Sequence, residues 1–249
     1  MLSARKKIYV YYMLLFGLMA NLAYGSPWQK IKPGLEYCDL NPQSLSQWSH
    51  IHAFRIDLNQ YELKIVLAKD LPQPYASAQT YHHYGQALIA INGGFFNPNK
   101  TPLGLRISNY QLLNPLRPIS WWGIFSIKNH TASITSPYDF HSERNINFAI
   151  QTGPRLIISG RIPLLKTGFA NRSALGITAT GKVIMLVTEN LPMTTTDLAK
   201  TMKQPPLNCI DALNLDGGSS SQLYAKIGHF RLDVPGFTQV SDAIIVKSL

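Results

Sequence analysis

The chain has 249 residues, of which 45% are hydrophobic and 14% are charged. This balance excludes a charge-rich disordered chain and a long coiled coil, and the length suits one domain with a sizeable core. The formal charge of +10 does not indicate a nucleic-acid partner, because the cations form only one run, Arg5-Lys6-Lys7, and nucleic-acid binding needs them clustered on one face.

The first 25 residues have the pattern of a signal peptide. The basic run precedes thirteen mostly apolar residues, 8–20, and Ala23 and Gly25 are small residues of the kind found before a cleavage site. A retained membrane anchor is the alternative, although the apolar run is shorter than the ~20 residues that span a bilayer. We predict cleavage after Gly25, which removes three cations and no acid. The remaining chain, 26–249, has a formal charge of +7, no integral membrane span and a secreted or periplasmic location.

The two cysteines, Cys38 and Cys209, allow two interpretations. In an export compartment they can form a disulfide, or they can be two buried free thiols, and the sequence leaves both open. Neither they nor the His82-His83 pair has the ligand spacing of a structural zinc site. We expect no cofactor, and the sequence leaves a metal unassigned.

No repeat or linker divides the chain, so we predict a single domain. Residues 54–58 and 63–67 alternate apolar and polar side chains on either side of Asn59-Gln60, which predicts a β-hairpin. Residues 76–84 are predicted to form a short helix, and the apolar run 87–91 a buried strand.

The second half of the chain has the spacing of a strand-rich fold. Thr194 and Asp197 resemble a capping box that begins a helix reaching Met202. Further strands are predicted at 121–127, 146–150, 155–159, 173–179, 183–188, 210–215, 221–225 and 241–247. Because strands outnumber helices, the fold class that we expect is α+β, with a strand-rich mixed sheet core and a few short helices.

Two apolar strands run directly into glycine-rich polar segments. The first ends at Asn92-Gly93-Gly94-Phe95-Phe96 and the second at Asp216-Gly217-Gly218-Ser219-Ser220. Such strand ends bring backbone amides and small polar groups to a sheet edge, where a ligand can approach closely. The alternative for each glycine pair is a tight turn that needs positive φ. The two-residue period of a strand puts Asp216 on one face with Asn214, away from the neighbouring leucines.

A third segment has an arginine beside small residues. Arg172 shares a predicted strand face with Ala174 and Gly176. Its planar guanidinium can bind a phosphate or a carboxylate, and the alternative is a salt bridge with a nearby acid.

Taken in order, these segments resemble the phosphodiester glycosidase family over residues 50–247. The matching motifs are the strand into 92–96, then 151–156, 172–176, 183–189, and 213–221 followed by Val240-Ser241. The chain departs from the family pattern at Ser219, where a third glycine is usual, and at Asn190-Leu191, where a Gly-Arg pair is common.

The resemblance implies hydrolysis of the bond between a sugar's anomeric carbon and a phosphodiester oxygen, with a sugar-phosphate or anionic glycan as substrate. Asp216 is our first candidate for the base or nucleophile, and Glu189 is the second. The alternatives are an Asx-type turn for Asp216 and a solvated strand end for Glu189. Arg172 and the amides of both glycine pairs are the candidates for stabilising the departing phosphate.

Substrate-binding candidates share a place at the two strand ends or in the neighbouring motifs. They are Asn92, Gly93, Gly94, Phe95, Gln151, Asn214, Gly217, Gly218 and Ser220. Trp121 or Trp122 can add an apolar surface for a sugar, although aromatic residues beside a strand also suit a core.

Two further functions compete with the exported glycosidase. The first is a non-catalytic envelope or glycan-binding protein that retains the family cleft. The departures from the family pattern at Ser219 and Asn190-Leu191 are consistent with this hypothesis. A phosphatase is the weaker alternative, because the sequence has no visible two-metal carboxylate and histidine constellation.

Overall fold

The computed structural model describes residues 26–40, 47–73, 76–141 and 145–249. The predicted signal peptide, 1–25, lies outside the described residues. In the described ranges no helix is long and apolar enough to cross a membrane.

The structure consists of three antiparallel sheets, whose strands we number in chain order. The strands of the first sheet are β1 Gln29–Lys32, β2 Leu35–Asp39, β3 His50–Ile56, β11 Arg155–Ile157, β12 Ser173–Thr178, β13 Val183–Glu189 and β14 Cys209–Asn214. They pair in the order β1-β2-β3-β13-β12-β14-β11.

The other two sheets have five strands each. The second contains β6 Arg106–Ser108, β7 Gln111–Asn114, β8 Gly123–Lys128, β9 Thr131–Thr135 and β10 Ile146–Thr152, in the order β7-β6-β10-β8-β9. The third contains β4 Tyr61–Leu67, β5 Ile89–Asn92, β15 Leu223–Ile227, β16 Phe230–Val234 and β17 Asp242–Ser248, in the order β16-β15-β5-β17-β4.

The three sheets enclose one apolar core. Phe54 and Met185 of the first sheet, Phe125 and Phe148 of the second and Ile91 of the third belong to the same buried cluster. Alternation along each strand sends one set of side chains into this cluster and the other set to the outer face. A single core shared by all the sheets makes the described chain one domain.

Two helices cover the outer faces of two sheets. Helix α1, Ala78–Gly85, packs on the third sheet, and α2, Thr195–Lys203, packs on the first. The predicted cap of α2 is confirmed: the Thr194 hydroxyl accepts a hydrogen bond from the Asp197 amide at 3.0 Å.

The expected fold class needs correction. Every strand pair in the described ranges is antiparallel, and two helices stand beside seventeen strands. The protein is strand-rich and a single domain, as expected, but it is closer to all-β than to α+β and has no mixed sheet among these residues.

The predicted hairpin is wrong in its pairing. Both strands exist as β3 and β4, but β3 pairs with β2 and β13, whereas β4 pairs with β17 in another sheet. The connecting turn, in which the Tyr61 amide donates to the Asp57 carbonyl at 3.0 Å, carries the chain from one sheet to the other. Both strands send their apolar side chains into the same core, so alternation alone does not distinguish strands that pair from strands that face each other.

The cysteines are two separate thiols. Cys38 and Cys209 are both buried and free, and both belong to the cluster between the first sheet and α2. Of the two interpretations left open by the sequence, the structure has the unpaired one.

Candidate active site

The two glycine-rich strand ends meet in the structure. The Asn92 side-chain amide, at the end of β5, donates to the Asp216 carbonyl at 2.8 Å, and the Asp216 amide donates to the Gly93 carbonyl at 3.1 Å. The Asn92 oxygen accepts from the Ser173 hydroxyl at 2.7 Å. Through these bonds Asn92 links three strands and positions Asp216. Because its side chain is fully buried, it supports the site and does not face a substrate.

Asp216 lies half-buried beyond the end of β14. Its carboxylate accepts hydrogen bonds from the Gly217 amide at 3.0 Å and from the Ser220 hydroxyl. Burial raises the pKa of the Asp216 carboxyl above its ordinary value, and the two hydrogen bonds oppose this shift. The carboxylate therefore bonds to the amide that follows it in the turn, but the same carboxylate has the raised pKa that suits a base.

Arg172 lies beside this carboxylate segment. Its Nε donates to the Met193 carbonyl at 2.9 Å and its Nη2 to the Gly168 carbonyl. A Cβ placed on Gly217 would lie 3.8 Å from Nη1, so that nitrogen faces the Asp216-Gly217 turn. No described carboxylate forms an ion pair with Arg172, and the remaining N–H groups can bind an anion.

Gly93 and Gly94 rest on a buried ion pair between Arg106 of β6 and Asp242 of β17. The Arg106 Nε lies 2.6 Å from Asp242 Oδ2, and both side chains are 0% exposed. A Cβ on Gly93 would collide with the Asp242 carboxylate, and one on Gly94 would come within 2.6 Å of Arg106 Nη2. These two glycines are thus required by close approach and not by positive φ, which occurs in the second pair only at Gly218.

Most of the glycine amides are already used within the protein. Gly93 donates to the Asp242 carbonyl, Gly217 to the Asp216 carboxylate and Gly218 to the Asn171 carbonyl. This corrects the expectation that both glycine pairs offer free donors. The amides of Gly94 and Ser219 make no hydrogen bond within the described ranges, and they remain as candidate donors to a ligand.

Two predicted polar contacts have structural partners. The Gln151 side chain is fully buried and bonds to the backbone of Leu105 and of Arg117. Asn214 donates to the Gly153 carbonyl at 3.0 Å, which leaves its Oδ1 buried without a partner. Thr152 Oγ1, next to Gly94, is also buried and unpartnered. Because buried polar atoms are nearly always paired, these two oxygens are suited to a ligand.

Aromatic rings border the site on the side of Phe95. The Phe95 ring centroid lies 6.4 Å from that of Trp121 and 5.1 Å from that of Trp122. Trp122 is buried, whereas Trp121 is 56% exposed and lines a cavity together with Arg172. Trp121 therefore fits the expected apolar surface, and Trp122 belongs to the core.

Glu189 has a partner of its own in the structure. It pairs with His52, whose Nε2 lies 3.0 Å from the Glu189 carboxylate. In the register of β12 and β13, Ser173 is opposite Val187; Glu189 therefore shares the core-side face with Val187, whereas Arg172 lies on the other face. In the described part of the chain Glu189 forms no hydrogen bond with Asp216 or Arg172.

Sequence reasoning overlooked the ion pair and Thr152. Arg106 lies between apolar residues in a strand pattern, and Asp242 precedes the apolar run 243–246. A charge within a buried strand needs a partner, so both positions carried a signal. Thr152 lies in the 151–156 motif, but only its buried environment in the structure singles out its hydroxyl.

Comparison of sequences relates the chain to one family. The sequence model of the phosphodiester glycosidase family matches residues 85–247. The uncharacterised protein YigE of Escherichia coli (strain K12) is 31% identical over an alignment of 156 positions that covers 58% of this chain and 60% of YigE. The match thus spans less than two thirds of that relative.

Solved structures share the fold. The catalytic domain of zebrafish N-acetylglucosamine-1-phosphodiester alpha-N-acetylglucosaminidase, auto-inhibited by its pro-peptide, has a TM-score of 0.67 at 19% identity, over 89% of this chain and 86% of that one. A hypothetical protein from Synechocystis has a TM-score of 0.63 at 18% identity, over 90% and 64% of the two chains. A putative exported protein from Burkholderia pseudomallei has a TM-score of 0.54 at 12% identity, over 80% and 74%.

Proposed function

Because this chain belongs to the phosphodiester glycosidase family, we propose that it hydrolyses a sugar 1-phosphodiester of the N-acetylglucosamine 1-phosphate type. The bond between the anomeric carbon and the phosphodiester oxygen breaks, and water supplies the oxygen of the free sugar. The observation that carries the proposal is that the Asp216 carboxylate and the Arg172 guanidinium flank the same glycine, Gly217.

In this mechanism Arg172 binds the phosphate and Asp216 acts at the sugar. Hydrolysis passes through an oxocarbenium-like state. The leaving group is a phosphomonoester whose second pKa is about 6, so it departs as an anion without a strong general acid. Arg172 stabilises the charge that develops on it. Asp216 either accepts the proton of the attacking water or bonds to the anomeric carbon itself.

The sugar is assigned to the space between the strand ends and the aromatic rings. Thr152 Oγ1 and Asn214 Oδ1 are buried polar atoms without a partner, and the Gly94 amide makes no hydrogen bond within the described ranges; all three groups are suited to its hydroxyls. Phe95 and Trp121 provide an apolar surface for the ring. The other carboxylate near Asp216, that of Asp242, is fully buried and paired with Arg106, so catalysis by Asp216 alone is part of the proposal.

We also propose export of residues 26–249 after removal of residues 1–25. The support is the signal-peptide pattern, together with the name of one structural neighbour as a putative exported protein. Mass spectrometry of the exported protein should find Ser26 as the first residue, and an intact N-terminus would contradict this.

The methyl diester of N-acetylglucosamine 1-phosphate, hydrolysed in ¹⁸O-water, tests the reaction. We expect free sugar and methyl phosphate, with no ¹⁸O in the methyl phosphate, because the bond that breaks is on the carbon side. Incorporation of ¹⁸O into phosphate would indicate a phosphodiesterase. Saturable binding without turnover would support the second candidate, a non-catalytic glycan-binding protein, which the departures from the family pattern at Ser219 and Asn190-Leu191 favour.

Replacement of Arg172 tests its role at the phosphate. We expect Arg172→Ala to lower kcat/KM for the methyl diester about 10²-fold, because a preorganised donor to the developing anion is lost. Arg172→Lys should recover part of this rate. The matched control is Arg231→Ala on β16, where the guanidinium is exposed and 3.9 Å from Asp233. Equal rates in Arg172→Ala and Arg231→Ala would remove Arg172 from the mechanism.

The pH dependence tests the ionisation of Asp216. Its pKa is raised by burial, and the ionised form is the active one, so kcat/KM should fall as the pH falls through that raised pKa. We expect the midpoint of this acidic limb above the ordinary aspartate value of about 3.9. Glu189→Gln should keep the limb. Its loss in that variant would assign the titration to Glu189 instead.

A further inference from the structure

A cavity of about 450 Å³ adjoins the proposed phosphate site. Its volume lies within the range of about 300–1,000 Å³ that is usual for small-molecule sites. The loop 164–170 lines the cavity together with Arg172, Trp121, Pro154 and Thr195. Arg172 and Trp121 take part in the proposed reaction, whereas the loop 164–170 has no role in it.

The wall of the cavity is strongly apolar at its mouth. Leu164 is 104% exposed and Phe169 is 77% exposed, and both line the cavity with Trp121. Large apolar side chains that gather around one opening cost free energy in water, and such patches mark binding surfaces. The sheets do not require these side chains, because they lie outside the buried clusters.

The charges that line the cavity are positive. Arg172 and Lys166 are both lining residues, and the described lining contains no Asp or Glu. This lining suits an occupant that combines a hydrocarbon portion with an anion. Arg172 Nη1 also faces Gly217, so the cavity continues directly from the proposed phosphate position.

We propose that this cavity binds an apolar aglycone, a hydrocarbon chain esterified to the phosphate of the sugar 1-phosphodiester. The inference rests on the proposed function, because the phosphate on Arg172 joins the two parts of the ligand. The sugar lies on the Asp216 side of the phosphate, and the chain lies along Leu164 and Phe169. The substrate class is thus a lipid-like sugar 1-phosphodiester rather than one with a second sugar as aglycone.

Two diesters that differ only in the aglycone test the proposal. Both diesters are assayed below the concentration at which the decyl diester forms micelles. We expect kcat/KM for the decyl diester of N-acetylglucosamine 1-phosphate to exceed that for the methyl diester at least about tenfold, because each buried methylene strengthens binding about fourfold. The double variant Leu164→Ser, Phe169→Ser should bring the ratio of the two kcat/KM values below about threefold. Leu112→Ser on β7, where Leu112 is also exposed, is the matched control and should keep the wild-type ratio.

Binding of decyl phosphate separates this inference from the proposed reaction. We expect calorimetry to give a Kd for decyl phosphate at least about tenfold lower than for methyl phosphate, and the double variant should remove the difference. If neither diester is hydrolysed but this difference holds, the proposed function fails and the apolar site stands. If the diesters are hydrolysed at a ratio near one, or if the double variant leaves the decyl preference intact, the apolar site is wrong.

Discussion

Replacement of Asp216 by Asn should lower kcat for the methyl diester of N-acetylglucosamine 1-phosphate about 10³-fold. The amide keeps the shape of the side chain and can still accept from the Gly217 amide, at 3.0 Å in the wild type. It cannot accept a proton from water or bond to the anomeric carbon. Positioned proton transfer contributes about 10²–10⁴-fold, and the assay of free sugar released measures the loss.

The same variant should not lose stability at pH 7. Burial raises the pKa of Asp216 in the folded protein above that in the unfolded chain, so the folded state binds the proton more tightly. The free energy of unfolding then falls as the pH rises between these two pKa values, and ionised Asp216 is a cost at neutral pH. A neutral Asn removes this cost, and thermal unfolding of Asp216→Asn should occur at or above the wild-type temperature.

Glu189→Gln is the matched carboxylate control. Because Glu189 binds His52 and faces away from Arg172, we expect its kcat to stay within about tenfold of wild type. If Asp216→Asn keeps the wild-type rate, or if the two variants lose activity equally, the assignment of Asp216 is wrong.

The largest loss of stability is expected for Asp242→Ala. Arg106 and Asp242 form a 2.6 Å ion pair with both side chains fully buried. Removal of the carboxylate leaves the Arg106 charge buried without a counter-ion, which costs about 3–5 kcal/mol. Urea unfolding at pH 7 measures the loss. Because Gly93 and Gly94 rest on this pair, the variant should also lose activity.

Two further variants show whether the loss of stability in Asp242→Ala comes from the buried, unpaired charge or from the missing side chain. Asp233→Ala removes an aspartate whose ion pair with Arg231, at 3.9 Å, is exposed to solvent, and we expect less than about 1 kcal/mol. Asp242→Asn keeps the volume but not the charge, and it should also be destabilised. A cost below about 1 kcal/mol for both Asp242 variants would show that Arg106 is compensated by backbone carbonyls alone.

The tests at Asp216 and Asp242 concern two layers of one arrangement. The lower layer is the buried ion pair, against which the glycine-rich end of β5 packs. The upper layer is the Asp216 turn, tied to that strand end by Asn92 at 2.8 Å. A rigid lower layer fixes the position of the Asp216 carboxylate relative to Arg172, and such preorganisation is what a catalytic site needs.

Much of the local structure is readable from the sequence. The helix begins after Thr194 because the Thr194 hydroxyl caps it at the Asp197 amide. The apolar run 87–91 predicts a buried strand, and the observed buried strand, β5, begins two residues later and ends one residue later, at Ile89–Asn92. The contacts around Gly93 and Gly217 bring Asn92, Arg172 and Asp216, three candidates taken from the sequence, close together. Helix caps and apolar runs are readable because they depend on residues that are close together in the sequence.

Strand partners and the faces of functional side chains were decided only in three dimensions. The alternation of apolar and polar residues predicts that β3 and β4 each have one apolar face. Strands of different sheets can bury such faces in one core, so the alternation does not imply that β3 and β4 pair as a hairpin. Likewise, spacing did not reveal that Glu189 turns to His52 or that Arg106 meets Asp242 across the core. The sequence by itself determines which residues avoid water and where strands end, because these depend on local composition. The tertiary structure decides which polar groups are paired and which remain for a ligand, because hydrogen bonds and ion pairs join residues far apart in the chain.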